Sequence, residues 1–309
     1  MTARLLSGKP IAEAIKAEVA AEVADLREVH GFTPTLAVVR VGEDPASAVY
    51  VGSKVRTTEE LGMGSEHLHF PADATRDQIV STVREFNHRQ DVDGILVQLP
   101  LPKHIDEREI LELIDPERDV DGFHPVNSGR LMQGYESLVP CTPAGVIEIL
   151  KRSTIDIAGK HAVVVGRSNI VGKPMSMLLL RENATVTICH SRTRDLPSVT
   201  READILVAAI GRAGFIQADH IGEGATVIDV GINNVSDANA ARELFSVDDL
   251  PKRLETIEKR GFTLVGDVNP RDAMERASAY TPVPGGVGLL TVAMLMKNTV
   301  AAAKMRRGI

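Results

Sequence analysis

Residues 161–193, HAVVVGRSNIVGKPMSMLLLRENATVTICHSRT, constrain the fold of this 309-residue chain more than any other stretch. Their pattern predicts a strand, a turn, a helix and a second strand, which is the length of one βαβ unit. Gly166 stands where the first strand must turn sharply, and Gly172 stands where the helix approaches that strand. Backbone N–H groups at the start of such a helix can bind a pyrophosphate. We therefore expect a Rossmann-like parallel sheet that binds a dinucleotide.

The glycine spacing in this unit is G-x-S-x-x-x-G, which differs from the usual G-x-G-x-x-G fingerprint. On the pattern alone, a βαβ unit in which Gly166 and Gly172 only form turns remains an alternative. We expect the first turn to contribute Gly166, Arg167 and Ser168 to cofactor binding, together with Gly172 at the helix start.

The residues after the second strand, CHSRT, bear on the choice between NAD and NADP. NAD sites often place Asp or Glu here to accept hydrogen bonds from the ribose hydroxyls. Ser191 and Arg192 are instead suited to a 2′-phosphate, and Arg167 adds positive charge. The sequence therefore favours NADP, with a solvated surface role for Arg192 as the alternative.

Alternating helix and strand patterns over the first hundred residues predict crossover units on another parallel sheet. Helices are expected near 10–30, 47–62 and 75–88, with strands near 35–42, 65–70 and 93–102. Residues 115–143 are rich in Asp, Pro, Gly and Asn and are predicted to be a loop between domains. A helix near 144–152 follows. Five further strand patterns, the last being FTLVGDV, then predict the second parallel sheet.

The predicted architecture is thus α/β, with two α/β domains. One domain is expected to comprise residues 1–142 plus 286–309, the last segment being a returning C-terminal helix. Residues 143–285 are expected to form the Rossmann-like domain. We find no internal repeat in the chain.

Composition excludes several classes of partner. The chain has a formal net charge of −7 and scattered basic residues, so nucleic acid and anionic membranes are not expected partners. Apolar runs fall short of the roughly twenty residues of a membrane helix, and the start lacks a signal-peptide core. The two cysteines are far apart and suggest no thiolate metal site, and no metal is expected. A cytoplasmic protein is the resulting expectation.

The stretch SAVYVGSKVRTTEELG places Ser47, Tyr50 and Lys54 at positions i, i+3 and i+7 of a predicted helix. This spacing puts a hydroxyl, a phenol and an amine on one face. Periodicity does not say what the face meets. A solvated lysine, a buried structural tyrosine and a serine bonded to its own backbone are the alternatives.

Four segments closely resemble the bifunctional methylenetetrahydrofolate dehydrogenase/cyclohydrolases, the FolD family: YVGSKVRTTEELGM, DGILVQLPLP, VVVGRSNIVGKPM and TPVPGGVGLLTVAMLM. The resemblance covers nearly the whole chain. It implies a folate-binding catalytic domain, an NADP-binding domain and a cleft between them. It also implies NADP-dependent oxidation of 5,10-methylenetetrahydrofolate to the methenyl form, then hydrolysis to 10-formyltetrahydrofolate. A homodimer through the NADP-binding domain is implied as well.

Roles are predicted for five residues, and those of Lys54, Gln98 and Asp121 come from the resemblance. Lys54 matches the catalytic lysine, and Gln98 matches the glutamine that orients it. A lysine moves protons there only if burial or a neighbouring cation lowers its pKa. Tyr50 is expected to stack on the folate and take part in catalysis, and Ser47 to help hold the site. Asp121 matches the aspartate that accepts hydrogen bonds from the pterin, with neighbouring Asp119 expected to be a loop or surface carboxylate.

The loop PVPGGVG resembles the family loop that lies against folate and cofactor. Its implied substrate contacts are Pro284, Gly285 and Gly286, and the implied cofactor contacts are Gly286 and Ile232. Two departures from the family pattern occur nearby: Leu289 in GVGLLT, and GDVNP at residues 266–270. They bear on loop rigidity and cofactor preference rather than on the reaction class.

Two other functions remain as alternatives. A shikimate-type dehydrogenase also joins a lysine-bearing substrate domain to a nucleotide domain, but YVGSK and VQLPLP count against it. A noncatalytic sensor could keep the same fold. The intact set of Tyr50, Lys54, Gln98 and Asp121 disfavours that alternative.

Overall fold

The computed structural model describes residues 2–309, apart from the side chains at positions 45 and 46. The chain forms two compact α/β units. One, which we call the three-stranded unit, comprises Ala12–Cys141 and Thr291–Ile309. The other, the six-stranded unit, comprises the residues up to Ile11 and Thr142–Leu290. The predicted α/β class with a parallel Rossmann-like sheet is confirmed.

The first half of the chain alternates strands and helices as its sequence predicts. In order, its elements are β1 (Arg4–Leu5), α1 (Gly8–His30), β2 (Thr35–Val41), α2 (Pro45–Glu60), β3 (Gly64–Phe70), α3 (Arg76–His88), β4 (Gly94–Val97), α4 (Glu107–Leu113) and α5 (Pro125–Gln133). The parallel order β3-β2-β4 puts β2 in the centre. Helix α3 begins at a Thr75–Gln78 capping box, and its apolar face contributes buried Phe86 to the core.

Helix α5 corrects the prediction that residues 115–143 are entirely loop. The Nδ1 atom of His124 accepts a hydrogen bond from the backbone N–H of Val126, and Pro125 occupies the first turn. The helix ends at Gly134, which has φ +78°. Pro at the start and Gly past the end are ordinary helix boundaries. The residues read as loop formers therefore delimit a short helix.

The second half of the chain builds the larger sheet. Its elements are α6 (Cys141–Arg152), β5 (His161–Val165), α7 (Gly172–Arg181), β6 (Thr185–Cys189), α8 (Leu196–Thr200), β7 (Ile205–Ala208), a 3₁₀ helix (Ala218–His220), β8 (Thr226–Asp229), β9 (Asn233–Val235), α9 (Ala238–Leu244), α10 (Leu250–Arg260), β10 (Thr263–Val265), α11 (Pro270–Arg276), β11 (Ala279–Tyr280) and α12 (Gly288–Met305). The sheet order is β1-β11-β8-β7-β5-β6, and every pairing is parallel.

From β5 the chain passes first to β6 on one side and then to β7 on the other. Such a reversal of strand order opens a crevice outside the carboxyl ends of the strands, where ligands of open α/β sheets bind. The topology therefore predicts a ligand site at the residues that follow β5, β6 and β7.

One strand lies elsewhere than predicted, and the larger sheet contains two strands that the sequence did not predict. FTLVGDV was expected to add a parallel strand, but β10 pairs antiparallel with β9 in a separate two-stranded ribbon. Helices α9 and α10 lie between them in the chain, form a small core with Phe245, and bring β10 back against β9. The parallel sheet instead gains β1 and β11, which pair through Arg4 and Ala279.

The position of β1 also bears on the domain boundaries. Because β1 pairs in the larger sheet, the residues up to Ile11 group with the six-stranded unit, whereas the sequence prediction placed them with residues 12–142. The assignment of folate and cofactor to the two predicted domains stays a prediction. No helix within residues 2–309 combines the length and apolar character needed to cross a membrane.

Candidate active site

Lys54 lies in the third turn of α2, and its amine faces the end of β4. Its Nζ atom donates a hydrogen bond of 2.9 Å to Oε1 of Gln98, which immediately follows β4. The Nε2 atom of Gln98 donates at 2.7 Å to the carbonyl oxygen of Leu99. The amide is thereby fixed with its oxygen toward the lysine. The lysine is only 9% exposed, so this is an interior amine held in one direction.

The three residues of the helical stripe differ in exposure. Ser47 is buried, and its backbone N–H donates at 2.7 Å to the Asp44 side chain that caps α2. Tyr50 is 48% exposed, so a structural role in a closed core does not fit it. One turn of helix separates this open phenol ring from the buried amine of Lys54. An exposed aromatic next to an interior amine is suited to a bound ring system.

Asp121 lies in the same unit, after the isolated bridge that joins Asp119 to β4. Loss of hydration raises the pKa of the Asp121 carboxyl to about 6, the charge of Lys54 opposes this, and the charge of Asp119 adds to it. The carboxyl is therefore close enough to the amine for their charges to interact. It changes ionisation just below neutral pH.

Asp119 differs from its prediction as a loop or surface carboxylate. It is 1% exposed, and its Oδ2 atom accepts hydrogen bonds from the backbone N–H of His124 and from Nδ2 of Asn127. Burial raises the pKa of its carboxyl. Asp119 is a buried carboxylate that holds the entry to α5.

The turn between β5 and α7 is closely packed. Gly166 has φ +141°, and a Cβ there would lie 2.2 Å from the carbonyl oxygen of Ala209. A Cβ on Gly172 would lie 2.3 Å from the carbonyl oxygen of Gly166. The Oγ atom of Ser168 accepts from the backbone N–H groups of Val171 and Gly172. The G-x-S-x-x-x-G spacing is explained by these contacts, in which the serine hydroxyl bonds the two residues where the helix begins.

A cavity of about 360 Å³ opens at the carboxyl ends of β5, β6 and β7. Its volume and its position at the reversal of strand order are those of a ligand site. Its lining is mainly apolar but includes two arginines; the residues are Val165, Gly166, Arg167, Ser168, His190, Ser191, Leu196, Ala209, Ile210, Arg212 and Phe215. The structure thus brings together four of the predicted cofactor residues: Gly166, Arg167, Ser168 and Ser191.

Arg212 in this cavity was missed by the sequence reasoning, and Arg192 is placed differently. Arg212 lies over the ring of Phe215, with 4.4 Å from its guanidinium carbon to the ring centroid. Its signal in the sequence was the segment IGRAGF directly after a buried strand. Arg192 is exposed on a turn in which its backbone N–H donates to Nδ1 of His190. Within the described chain it lies outside the cavity lining, and its contact with a phosphate stays a prediction.

The loop after β11 contacts the start of the chain. The backbone N–H of Gly8 donates to the carbonyl oxygen of Gly285 at 2.8 Å, and Gly285 has φ +112°. A Cβ on Gly8 would lie 2.1 Å from the carbonyl oxygen of Gly286. Ile232 is 49% exposed, and its Cδ1 atom would lie 3.4 Å from a Cβ on Gly288. The loop of Pro284, Gly285 and Gly286 therefore lies in the same unit as Ile232.

One of the two departures from the family pattern has a local structural explanation. In GDVNP, the side chain of Asn269 accepts from the backbone N–H of Arg271 and caps α11, whose first residue is Pro270. Leu289 is 44% exposed in the first turn of α12. Neither residue replaces a side chain that lines the cavity.

The class of protein follows from these observations: a two-unit α/β protein with a Rossmann-like nucleotide-binding sheet and an interior lysine held by a glutamine. Residues 6–121 match the catalytic domain of tetrahydrofolate dehydrogenase/cyclohydrolase, and residues 140–307 match its NAD(P)-binding domain. The chain belongs to the tetrahydrofolate dehydrogenase/cyclohydrolase family.

Full-length relatives and solved structures agree with this assignment. A protein of Koribacter versatilis named bifunctional protein FolD is 56% identical over 308 residues, with 100% of this chain and 99% of the relative covered. The FolD structure from Campylobacter jejuni is 42% identical with a TM-score of 0.87, covering 98% of this chain and 99% of that one. The Trypanosoma brucei FolD structure, complexed with NADP and an inhibitor, is 37% identical with a TM-score of 0.88 and covers all of both chains.

Proposed function

We propose that this protein oxidises 5,10-methylenetetrahydrofolate to 5,10-methenyltetrahydrofolate with NADP⁺ and then hydrolyses the product to 10-formyltetrahydrofolate. The observation that carries the proposal is the bond between Nζ of Lys54 and Oε1 of Gln98. It supplies the positioned amine that the hydrolytic step needs, in a member of a family with both activities in its name.

In the hydrolytic step, water adds to the cationic carbon of the methenyl group and loses a proton. The bond from that carbon to N5 then breaks, N5 takes up a proton, and the oxygen loses its second proton as it becomes the formyl carbonyl. A positioned amine is suited to this proton transfer. Gln98 holds Nζ of Lys54 in one direction through its own fixed amide. Tyr50 is exposed and one turn away, and we assign it to stacking on the folate rings. Buried Ser47 supports the start of this helix.

Asp121 is assigned to the pterin. Its ionised carboxyl presents two acceptor oxygens to the paired N–H groups of that ring edge. We also assign Pro284, Gly285 and Gly286 to contact with the folate. Because glycine has no side chain, the backbone of this loop can approach a ligand closely.

The cavity at the carboxyl edge of the larger sheet supports the assignment of NADP as the cofactor. Arg167 and Arg212 supply positive charge in a lining that is otherwise largely apolar, and Ser191 offers a hydroxyl after β6. We assign Gly166, Arg167, Ser168 and Gly172 to the phosphate turn, Ser191 and Arg192 to the 2′-phosphate, and Ile232 and Gly286 to the nicotinamide side. When bound, NADP⁺ accepts the hydride from the methylene carbon. The protein's residues bind and orient the cofactor.

The ionisation of Asp121 gives a prediction for folate binding. Above a pKa of about 6 the group is a carboxylate and accepts both pterin hydrogen bonds; below it the group is protonated and loses one acceptor. We expect the Kd for folic acid to rise about tenfold between pH 7 and pH 5, as the ionised fraction falls. Isothermal titration calorimetry measures this. Asp121→Asn should bind weakly with no pH dependence in this range, and a flat wild-type profile would contradict the assignment.

We further propose a homodimer formed through the six-stranded unit. Among the strands of the described chain, β6 is at the end of the sheet order, so one side of its backbone is not paired with another strand. Ile188 on this strand and Leu180 on α7 are 41% and 55% exposed. Light scattering should give twice the chain mass for the wild type and one chain mass for Ile188→Lys. A monomeric wild type would contradict this proposal. We also infer a cytoplasmic location from the function.

The function is tested by following methenyltetrahydrofolate absorbance after mixing the protein, methylenetetrahydrofolate and NADP⁺. The proposal predicts a rise followed by a decay. A shikimate-type dehydrogenase or a noncatalytic sensor gives no rise. An enzyme with only the dehydrogenase activity gives a rise with no decay beyond the uncatalysed rate.

A further inference from the structure

Two buried aspartates tie together three loops at the carboxyl edge of the six-stranded sheet. The loops follow β7 (residues 209–212), follow β8 (residues 230–233) and precede α11 (residues 266–269). Asp229 is 1% exposed and Asp267 is fully buried. Neither aspartate is among the residues assigned above to cofactor binding.

The Asp267 carboxylate accepts four hydrogen bonds from two of these loops. Its Oδ2 atom accepts from the backbone N–H of Ile210 at 2.5 Å and of Gly211 at 2.9 Å. Its Oδ1 atom accepts from the backbone N–H of Arg212 at 2.9 Å and from Nδ2 of Asn233 at 2.9 Å. Both oxygens are therefore fully used, and they fix three consecutive residues of the loop after β7.

Asp229 in turn fixes the segment that carries Asp267. Its Oδ1 atom accepts from the backbone N–H of Asp267 at 2.8 Å and of Gly231 at 3.0 Å, and its Oδ2 atom accepts from Val268 at 3.0 Å. The hydroxyl of buried Tyr280 donates to the same carboxylate at 3.5 Å. Burial, and next the charge of Asp229, raises the pKa of Tyr280 well above its usual value, so this hydroxyl stays protonated.

Two glycines beside these carboxylates leave no room for a side chain. A Cβ on Gly266 would lie 1.8 Å from Oδ2 of Asp229, and a Cβ on Gly231 would lie 2.3 Å from Oδ1 of Asp267. Side chains at either position would displace the carboxylate and its bonded loops.

One of the fixed loops, residues 209–212, forms part of the cofactor cavity. Ile210 and Arg212 both line it, and they are two of the three residues held by Asp267. Ile232 lies between Gly231, which is held by Asp229, and Asn233, which donates to Asp267. Among the described residues that line the cavity, neither Asp229 nor Asp267 is included, so their effect on a ligand must pass through these loops.

We propose that Asp267, held in place by Asp229, is a positioning residue for NADP binding: it sets the loop that presents Ile210 and Arg212 to the cofactor. The inference rests on the proposed function, since it takes the cavity at β5, β6 and β7 as the NADP site. A preorganised loop binds a ligand without the entropic cost of becoming ordered.

Asp267→Asn is the informative variant because an amide cannot satisfy this environment. Each carboxylate oxygen accepts two hydrogen bonds, so either orientation of the amide points its NH₂ group at two donors. We expect the Kd for NADP⁺, measured by calorimetry, to rise at least about tenfold, and the hydrolysis of added methenyltetrahydrofolate without cofactor to stay within about twofold of wild type.

Asp272→Asn is the matched control, with the same loss of charge in the same unit. The Asp272 carboxylate accepts from the backbone N–H of Ala218 at 2.8 Å, and an amide oxygen can replace this acceptor. NADP⁺ affinity should be unchanged. Asn233→Ala is a milder variant that removes a single donor to Asp267 and is expected to raise the Kd about threefold. It tests the proposal if Asp267→Asn does not fold.

The outcomes separate this proposal from the function on which it rests. Wild-type NADP⁺ affinity in both Asp267→Asn and Asn233→Ala would overturn the positioning role and leave the proposed function intact. An equal loss of NADP⁺ affinity and hydrolysis in Asn233→Ala would overturn it in favour of a general structural role. Failure of the wild type to bind NADP⁺ would overturn the proposed function and this inference together.

Discussion

Lys54→Met should reduce the enzymatic hydrolysis of methenyltetrahydrofolate by about 10²- to 10⁴-fold, the range typical for loss of a proton-transfer group. Methionine keeps the length of the side chain but has no amine to accept or donate the proton. Nζ of Lys54 has a defined partner in Gln98, so the substitution removes a positioned group rather than a mobile surface charge. The Kd for NADP⁺ should remain within about twofold of wild type, because none of the described residues of α2 lines the cavity.

Arg56→Met is the matched control for this prediction. Arg56 lies on the same helix, two residues further along, and is exposed. The same replacement of a cation by methionine should leave the hydrolysis rate near that of wild type. Circular dichroism establishes that both variants fold. Wild-type hydrolysis by folded Lys54→Met would remove Lys54 from the mechanism.

Arg192→Ala has the second largest expected effect. If the guanidinium contacts the 2′-phosphate, its loss removes a charged hydrogen bond, and the NADP-to-NAD ratio of kcat/KM should fall about 10- to 100-fold. The change should lie in the NADP value, since NAD lacks that phosphate. The ratio is measured by initial rates of methylenetetrahydrofolate oxidation with each cofactor.

Arg194→Ala is the control for charge on the same turn, because Arg194 is also exposed and is separated from Arg192 by one residue. Its ratio should stay at the wild-type value. An unaltered ratio in Arg192→Ala would show that the 2′-phosphate contact is made elsewhere. Arg167 and Arg212, which line the cavity, are then the residues to replace.

Local sequence patterns predicted the parts of the fold that local chemistry determines. The unit β5–α7–β6 follows from a β-branched strand, a turn that needs glycine at Gly166 and Gly172, and an apolar helix face. Helix α2 follows from its period, which also placed Ser47, Tyr50 and Lys54 on one stripe.

Long-range contacts were less accessible to these patterns. Gln98 is 44 residues from Lys54, and its role came from the family resemblance because periodicity gives the direction of a side chain but not its partner. The strand β10 was assigned to the parallel sheet because a three-residue apolar segment gives no information about pairing. Arg212 was missed because its position depends on the loop held by Asp267.

The proposed function requires that one chain forms methenyltetrahydrofolate and then hydrolyses it, with Lys54 as the proton-transfer group. The most direct measurement is the methenyltetrahydrofolate absorbance after wild type or Lys54→Met is mixed with methylenetetrahydrofolate and NADP⁺. We expect a rise and enzymatic decay for wild type, and for Lys54→Met a product that, once formed, decays only at the uncatalysed rate. Decay in Lys54→Met as fast as in wild type would contradict it.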